Sequence, residues 1–143
     1  MIIIKIKLSN KSKRNLSAGL DYRLVHIIME ALKLEYKHDW GIFETKRTLE
    51  QQKQNVARGV SKTLNSKHIP DKLGIIRAFD IVPWINGKWT WEGKEAKECF
   101  DEVLGNLKQI SSKYYPGQIT FGEDWKKLVD RPHVEITTGQ EIK

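Results

Sequence analysis

The stretch Ile75–Val82 constrains this chain most. It is dense in β-branched and aromatic residues and runs into Pro83, a pattern that predicts a buried strand ending at the proline. Near its end stands a carboxylate, Asp80, which a strand would present from a rigid element, as a functional site requires. Helical periodicity lies on both sides. Leu20, Leu24, Ile27, Ile28, Ala31 and Leu34 form an apolar stripe, predicting a helix over Ser17–Tyr36. Ala96, Cys99, Phe100, Val103, Leu104, Leu107 and Ile110 form a longer one over Gly93–Lys113, with Gly105 as a tolerated weak point.

Shorter signals fill the remainder. Ile4, Ile6 and Leu8 alternate with polar residues as in a short strand, and Trp40–Glu44 reads as another. Thr48 followed by Gln51 has the form of a capping box, so a helix should run from Leu49 to Arg58 and stop at Gly59. Arg47 then falls at a strand-to-helix junction, a common place for functional side chains. Asn86-Gly87 between Trp84 and Trp89 predicts a tight turn, as does Pro116-Gly117; Ile119–Phe121 and His133–Thr137 read as two further strands. Trp84, Trp89 and Trp91 are assigned to aromatic core packing in preference to sugar stacking. Short strands alternating irregularly with about three helices indicate an α+β fold with a small, mainly antiparallel sheet, built as one domain over residues 1–143.

Composition narrows the function classes. At 143 residues the chain is long enough for one core without staples, and its one cysteine, Cys99, excludes an intramolecular disulfide framework. Cys99 lies on an apolar helix face and reads as a buried, inert thiol. Twenty-five Lys and Arg against 18 Asp and Glu leave a net charge of +7, which attracts anionic surfaces by long-range electrostatics. The basic residues are scattered apart from Lys11, Lys13 and Arg14, and no nucleic-acid-binding motif accompanies them, so nucleic acid is not the expected partner. Lys5 and Lys7 interrupt the apolar N-terminal run, no small-residue cleavage site follows, and nothing approaches the length of a membrane span. Neither an export signal nor a transmembrane segment is expected, and a monomer is the default.

Three dispersed residues carry ligand chemistry: His68, Asp80 and His133. Two imidazoles and one carboxylate suit a catalytic Zn²⁺, which takes three protein ligands and keeps a fourth position for water. Dispersed ligands are weak signals alone, and the self-contained H-E-x-x-H signature is absent. His26 falls off its helix stripe and His38 follows in a polar stretch; both read as surface histidines. Asp130 lies three residues before His133, and Pro132 disfavours a helical Arg131 between them, so an extended or turn conformation must bring the two together.

The context of these residues resembles the D-Ala-D-Ala carboxypeptidase and dipeptidase superfamily, peptidase family M15, and within it the phage L-alanyl-D-glutamate endopeptidases. The elements are Ser66-Lys67-His68, Ala78-Phe79-Asp80, Asp124-Trp125 and Asp130-Arg131-Pro132-His133, preceded by Arg47-Thr48, Gln51 or Gln52, and Gly59-Val60-Ser61-Lys62-Thr63. The resemblance extends over Phe43 to Ile136. It implies a zinc site at His68, Asp80 and His133 in a cleft at the sheet, with zinc-bound water as nucleophile and Asp130 as general base. It gives Arg47 the developing oxyanion or a substrate carboxylate, and Ser66, Asp124 and Trp125 supporting roles around the ligands or substrate. The implied substrate is the L-Ala–D-Glu bond of peptidoglycan stem peptides, reached from the cytoplasm after permeabilisation of the membrane. The alternatives are a D,D-carboxypeptidase or dipeptidase, and a non-catalytic, zinc-stabilised wall-binding module. The sequence departs from the family pattern twice. Several extra residues separate His68 from Asp80, which puts a loop near the metal, and Phe121-Gly122-Glu123 stands where relatives carry W-G-G.

Overall fold

The computed structural model describes residues 3–58, 66–126 and 129–137. Along the chain the elements are β1 (Ile4–Lys5), α1 (Asn10–Leu16), α2 (Tyr22–Leu32), β2 (Glu35–Tyr36), β3 (Asp39–Glu44), α3 (Leu49–Ala57), β4 (Ala78–Ile85), β5 (Lys88–Trp89), α4 (Lys94–Tyr114), β6 (Ile119–Phe121) and β7 (His133–Ile136). The architecture is α+β, with the mainly antiparallel sheet expected from the sequence. Its main sheet runs β3-β4-β7-β6 with every pair antiparallel, β5 adds to β4 as a hairpin, and β1 pairs with β2 in a separate ribbon.

Strand alternation divides the sheet into two faces. Phe79 and Ile81 of β4, Trp40 and Ile42 of β3, and Val134 and Ile136 of β7 point into one core with Leu24, Ile27 and Ile28 of α2 and Cys99, Val103, Leu104 and Leu107 of α4. Each large apolar side chain so buried contributes about 1.5–3 kcal/mol of transfer free energy. The intervening residues Asp80, His133 and Glu135 must occupy the opposite face. That one alternation separates the hydrophobic core from the polar site.

Two predicted boundaries shift, for local reasons. The helix expected over Ser17–Tyr36 is shorter, α2 alone over Tyr22–Leu32, and a separate α1 (Asn10–Leu16) precedes it, giving four α-helices among the described residues where about three were expected. Gly19 has φ 105°, Leu20 is drawn into a parallel bridge with Ile76, and Asp21 caps α2 by accepting from the Arg23 amide at 3.0 Å. Beyond α2, Tyr36 is buried with its hydroxyl on the Ala31 carbonyl at 2.7 Å, and its backbone pairs with Ile4. The strand expected to end at Pro83 instead runs on to Ile85. The pairing with β7 finishes at Asp80 opposite His133, and Pro83 accepts a hydrogen bond from Thr90 on that side without having to donate one.

Other expectations are met. Asn86 and Gly87 both have positive φ, 51° and 81°, which matches the tight hairpin turn read from the Asn-Gly pair. Thr48 and Gln51 form the reciprocal capping box of α3; the stop at Gly59 and the Gly59–Thr63 motif lie outside the described residues. Cys99 is buried, and burial pushes its thiol up to about 12, consistent with an inert role.

Candidate metal centre

β4 and β7 meet at the pair Asp80↔His133, which sets a carboxylate beside an imidazole on the face away from α2 and α4. His68 arrives from outside the sheet, on a turn shaped by Ser66, whose hydroxyl accepts from the His68 amide at 3.2 Å. The turn is tied to the end of β3 by a 2.7 Å bond from the Arg47 amide to the His68 carbonyl. Three atoms then converge. His68 Nε2 lies 3.2 Å from His133 Nδ1 and 3.3 Å from Asp80 Oδ1, and His133 Nδ1 lies 3.2 Å from that same oxygen.

The outward nitrogens decide what the inward ones can do. His68 Nδ1 is 2.9 Å from the Thr45 carbonyl, which can only accept, so the proton sits on Nδ1 and the Nε2 lone pair faces inward. His133 Nε2 donates to the Glu135 carboxylate at 2.8 Å, which leaves its Nδ1 facing inward as well. Two imidazole lone pairs and a carboxylate oxygen in a triangle of this size repel unless a cation lies among them. Three ligand atoms about 2.0–2.1 Å from a tetrahedral Zn²⁺ would be about 3.3 Å apart. The donor set fits the ion in identity and in spacing.

Burial alone would depress the pKa of His133, but its bonds to Asp80 and Glu135 and their charges push it up to about 9. Burial would raise Asp80, yet the neighbouring His68 and His133 hold it well below the usual carboxylate range.

Glu135 and Lys67 were not singled out by sequence reasoning. Glu135 is buried and its carboxylate accepts from His133 on one oxygen and from Lys67 on the other, while Lys67 also donates to the Ile136 carbonyl at 2.7 Å. The signal was available: in a strand, His133 and Glu135 stand two apart and share a face. A carboxylate behind a metal-binding imidazole fixes its orientation and raises its basicity. Glu135→Gln is therefore expected to weaken zinc binding by about 10–100-fold, read by titration against a competing chelator. Unchanged affinity would remove Glu135 from the site.

Asp130 opens a turn in which its carbonyl accepts from the His133 amide at 3.2 Å, the turn geometry expected from Pro132. Its side chain is exposed beside the triad. Partial loss of water and the like charge of Asp80 raise its pKa, against the attraction of His133, His68 and Arg47. Arg47 is mostly buried, its guanidinium bonded to Glu44 and Gln52.

The supporting residues divide. Trp125 sets its ring 5.3 Å from that of His133. Asp124 is exposed and turns to Lys108 at 3.0 Å, away from the ligands. Glu123, at the family's glycine position, bridges Lys108 and Arg131 at 2.6 and 3.0 Å, and Arg131 also pairs with Asp101. These ion pairs fasten the Asp130–His133 turn to α4. The extra residues after His68 close on themselves through Asp71, which accepts from the Leu73 and Ile75 amides, and Ile76 then pairs with the Gly19–Asp21 segment. His26 bonds to the Tyr115 hydroxyl, and His38 lies 3.6 Å from Glu98; neither joins the triad.

The sequence model of the phage L-alanyl-D-glutamate peptidases matches residues 4–140. The chain belongs to that family. An L-alanyl-D-glutamate peptidase of Escherichia phage T5 is 32 % identical over 143 aligned positions, covering 95 % of this chain and 93 % of that protein. Another, from Listeria phage A118, is 30 % identical over 95 positions, 66 % of this chain and 29 % of its own length. The crystal structure of the Serratia marcescens L-Ala D-Glu endopeptidase ChiX superposes with a TM-score of 0.72 at 26 % identity, covering 92 % of this chain and 90 % of that one.

Proposed function

We propose that this chain is a zinc-dependent endopeptidase that hydrolyses the L-Ala–D-Glu bond of peptidoglycan stem peptides and serves phage-mediated lysis of the host. The observation that carries the reading is the triangle of His68 Nε2, Asp80 Oδ1 and His133 Nδ1, with Asp130 beside it. Family membership gives that triangle its chemistry.

His68, Asp80 and His133 would hold the ion. Bound zinc supplies Lewis acidity, lowering the pKa of a coordinated water toward ~7 and polarising the scissile carbonyl. Asp130 takes up the proton released as water adds to that carbonyl, then delivers it to the departing amine of D-Glu. Its pKa, raised by burial and by the like charge of Asp80, makes it a better base than an ordinary aspartate. Arg47, whose Nε and Nη2 are held by Glu44 and whose Nη1 is held by Gln52, would offer its remaining N–H groups to the developing oxyanion or the D-Glu carboxylate.

Among the described residues no helix is long and apolar enough to cross a membrane. The net charge of +7 favours approach to an anionic envelope once the membrane has been permeabilised. The test is mass spectrometry of defined muropeptides incubated with the protein, with and without chelator and re-added zinc. New L-Ala and D-Glu termini that vanish on chelation and return with zinc are expected. Release of terminal D-Ala would move the chain to carboxypeptidase chemistry. Tight zinc binding with no cleavage would leave a wall-binding module.

A further inference from the structure

The expectation that Trp84, Trp89 and Trp91 pack into the core is not met: Trp84 is 39 % exposed and Trp91 41 %, and only Trp89 is half-buried. The rings are nonetheless held firmly. Trp84 meets Trp89 edge-on at 5.0 Å, Trp89 meets Phe43 at 6.3 Å, and Phe43 meets Trp91 at 4.9 Å, each close to perpendicular. A surface tryptophan fixed in this way keeps one apolar face in water at a standing cost, and holds it ready for a ligand without further loss of freedom.

Trp91 forms one wall of a groove of about 460 Å³ whose other walls include Phe100, Arg131 and Pro132, with Glu92 and Lys97 at its rim. Arg131 and Pro132 are the two residues between Asp130 and His133, so the groove borders the turn that carries the base and a ligand. Its charges are already matched. Arg131 is bonded to Glu123 and Asp101, lies 5.3 Å from the centre of the Phe100 ring, and shares Asp101 with Lys97, which is 3.0 Å from that carboxylate. Glu92 adds a carboxylate to the lining, while Glu123 is held by Lys108 as well as by Arg131. The anionic side of a stem peptide would meet two lining cations, Arg131 and Lys97, that are already paired. A neutral ligand with one C–H face for the indole and several hydroxyl donors for the carboxylates fits better.

We propose that this groove is a carbohydrate subsite, in which a sugar of the wall polymer stacks on Trp91. The proposal rests on the stem-peptide reading, because the alanine of that peptide is amide-linked to a lactyl-bearing amino sugar. The peptide on the D-Glu side would leave the cleft in another direction.

The experiment compares wild type, Trp91→Ala and Trp91→Phe on two substrates: a sugar-bearing muropeptide and the same peptide without sugar. A lost aromatic contact should raise KM for the muropeptide about tenfold in Trp91→Ala, with recovery in Trp91→Phe and less than about a twofold change on the bare peptide. In parallel, an N-acetylglucosamine trimer should shift the Trp91 indole N–H resonance of the wild-type protein, a signal assigned by its absence from Trp91→Phe. A wild-type enzyme that cleaves only the muropeptide would also support the subsite. Equal losses on both substrates, or a Trp91 resonance unmoved by the trimer, would overturn it. So would a Trp91→Ala change confined to self-association or to adsorption on anionic vesicles, which would assign the face to a second copy or to a membrane. If the trimer binds at Trp91 but wild type cleaves neither substrate, the peptidase reading fails and the sugar site stands.

Discussion

Asp130→Asn is expected to lower kcat/KM on muropeptides by about 10²–10⁴-fold with the fold and the zinc stoichiometry intact, the range set by loss of a general base. The substitution preserves size and removes only the ability to accept a proton. The hydrogen bonds that hold Asp130 in its turn, from its amide to the Gly122 carbonyl and from the His133 amide to its carbonyl, are made by main-chain atoms and survive. The side chain is exposed, so no core packing is lost. Asp130 is not among the three converging donor atoms of His68, Asp80 and His133, so the substitution keeps the donor set that would hold the ion and removes only a neighbouring charge. The loss should therefore fall on kcat with KM little changed, as for an interaction made only in the transition state. Steady-state kinetics, metal analysis and circular dichroism on one preparation separate the outcomes. Loss of zinc together with activity would make Asp130 a ligand, and near-normal kcat would remove it from the chemistry. Retention of zinc and fold without hydrolysis would also dispose of the idea that the site is purely structural.

How far the sequence could carry this reading depended on the range of the forces involved. The strands that form the site were visible, because period-two burial is a local property: Phe79 and Ile81 against Asp80, Val134 and Ile136 against His133. The same alternation put Glu135 behind His133, a relation that was available and overlooked. His68 was different. It reaches the triad through a turn tied to Arg47 and Thr45, and its place was inferred only from a family resemblance. The late start of α2 was hidden because the apolar stripe already begins at Leu20, before the helix does. What keeps the helix from reaching back to Ser17 is a bridge from Leu20 to Ile76, more than fifty residues away, together with the positive φ of Gly19. The exposed tryptophans were misjudged for a related reason: hydrophobicity predicts burial on average, but Trp84 and Trp91 lie where no element among the described residues covers them.

Gly122→Ala should be the most damaging glycine-to-alanine change among the described residues, and it shows how closely the Asp130–His133 turn is built. A Cβ at Gly122 would lie 2.2 Å from the Asp130 carbonyl oxygen, and 3.1 Å from both the Asp130 carbonyl carbon and the His133 Cβ. Two of these three obstacles are main-chain atoms and the third is anchored to it, so relief requires the Asp130–His133 turn to move. That turn cannot shift freely, since Arg131 is fastened to Glu123 and Asp101, and Ile81 donates to the Pro132 carbonyl at 3.0 Å. Overpacking of this kind costs about 1–3 kcal/mol. For a chain of this size that corresponds to a fall of roughly 3–10 °C in Tm. Activity should suffer more than stability, because the displaced atoms carry the base and a ligand. A misplacement near 1 Å can cost about 10²-fold in rate even where the protein remains folded. Gly105 supplies the control: it is exposed in α4 with nothing within 4 Å of an added Cβ, so Gly105→Ala should gain about 0.5–1 kcal/mol and leave kinetics unchanged. Thermal melts of both variants, with kinetics measured well below either Tm, give opposite signs if the account is right. A Gly122→Ala enzyme with normal kcat would mean that the turn yields easily, and that its close approach to residue 122 does not hold Asp130 and His133 in register.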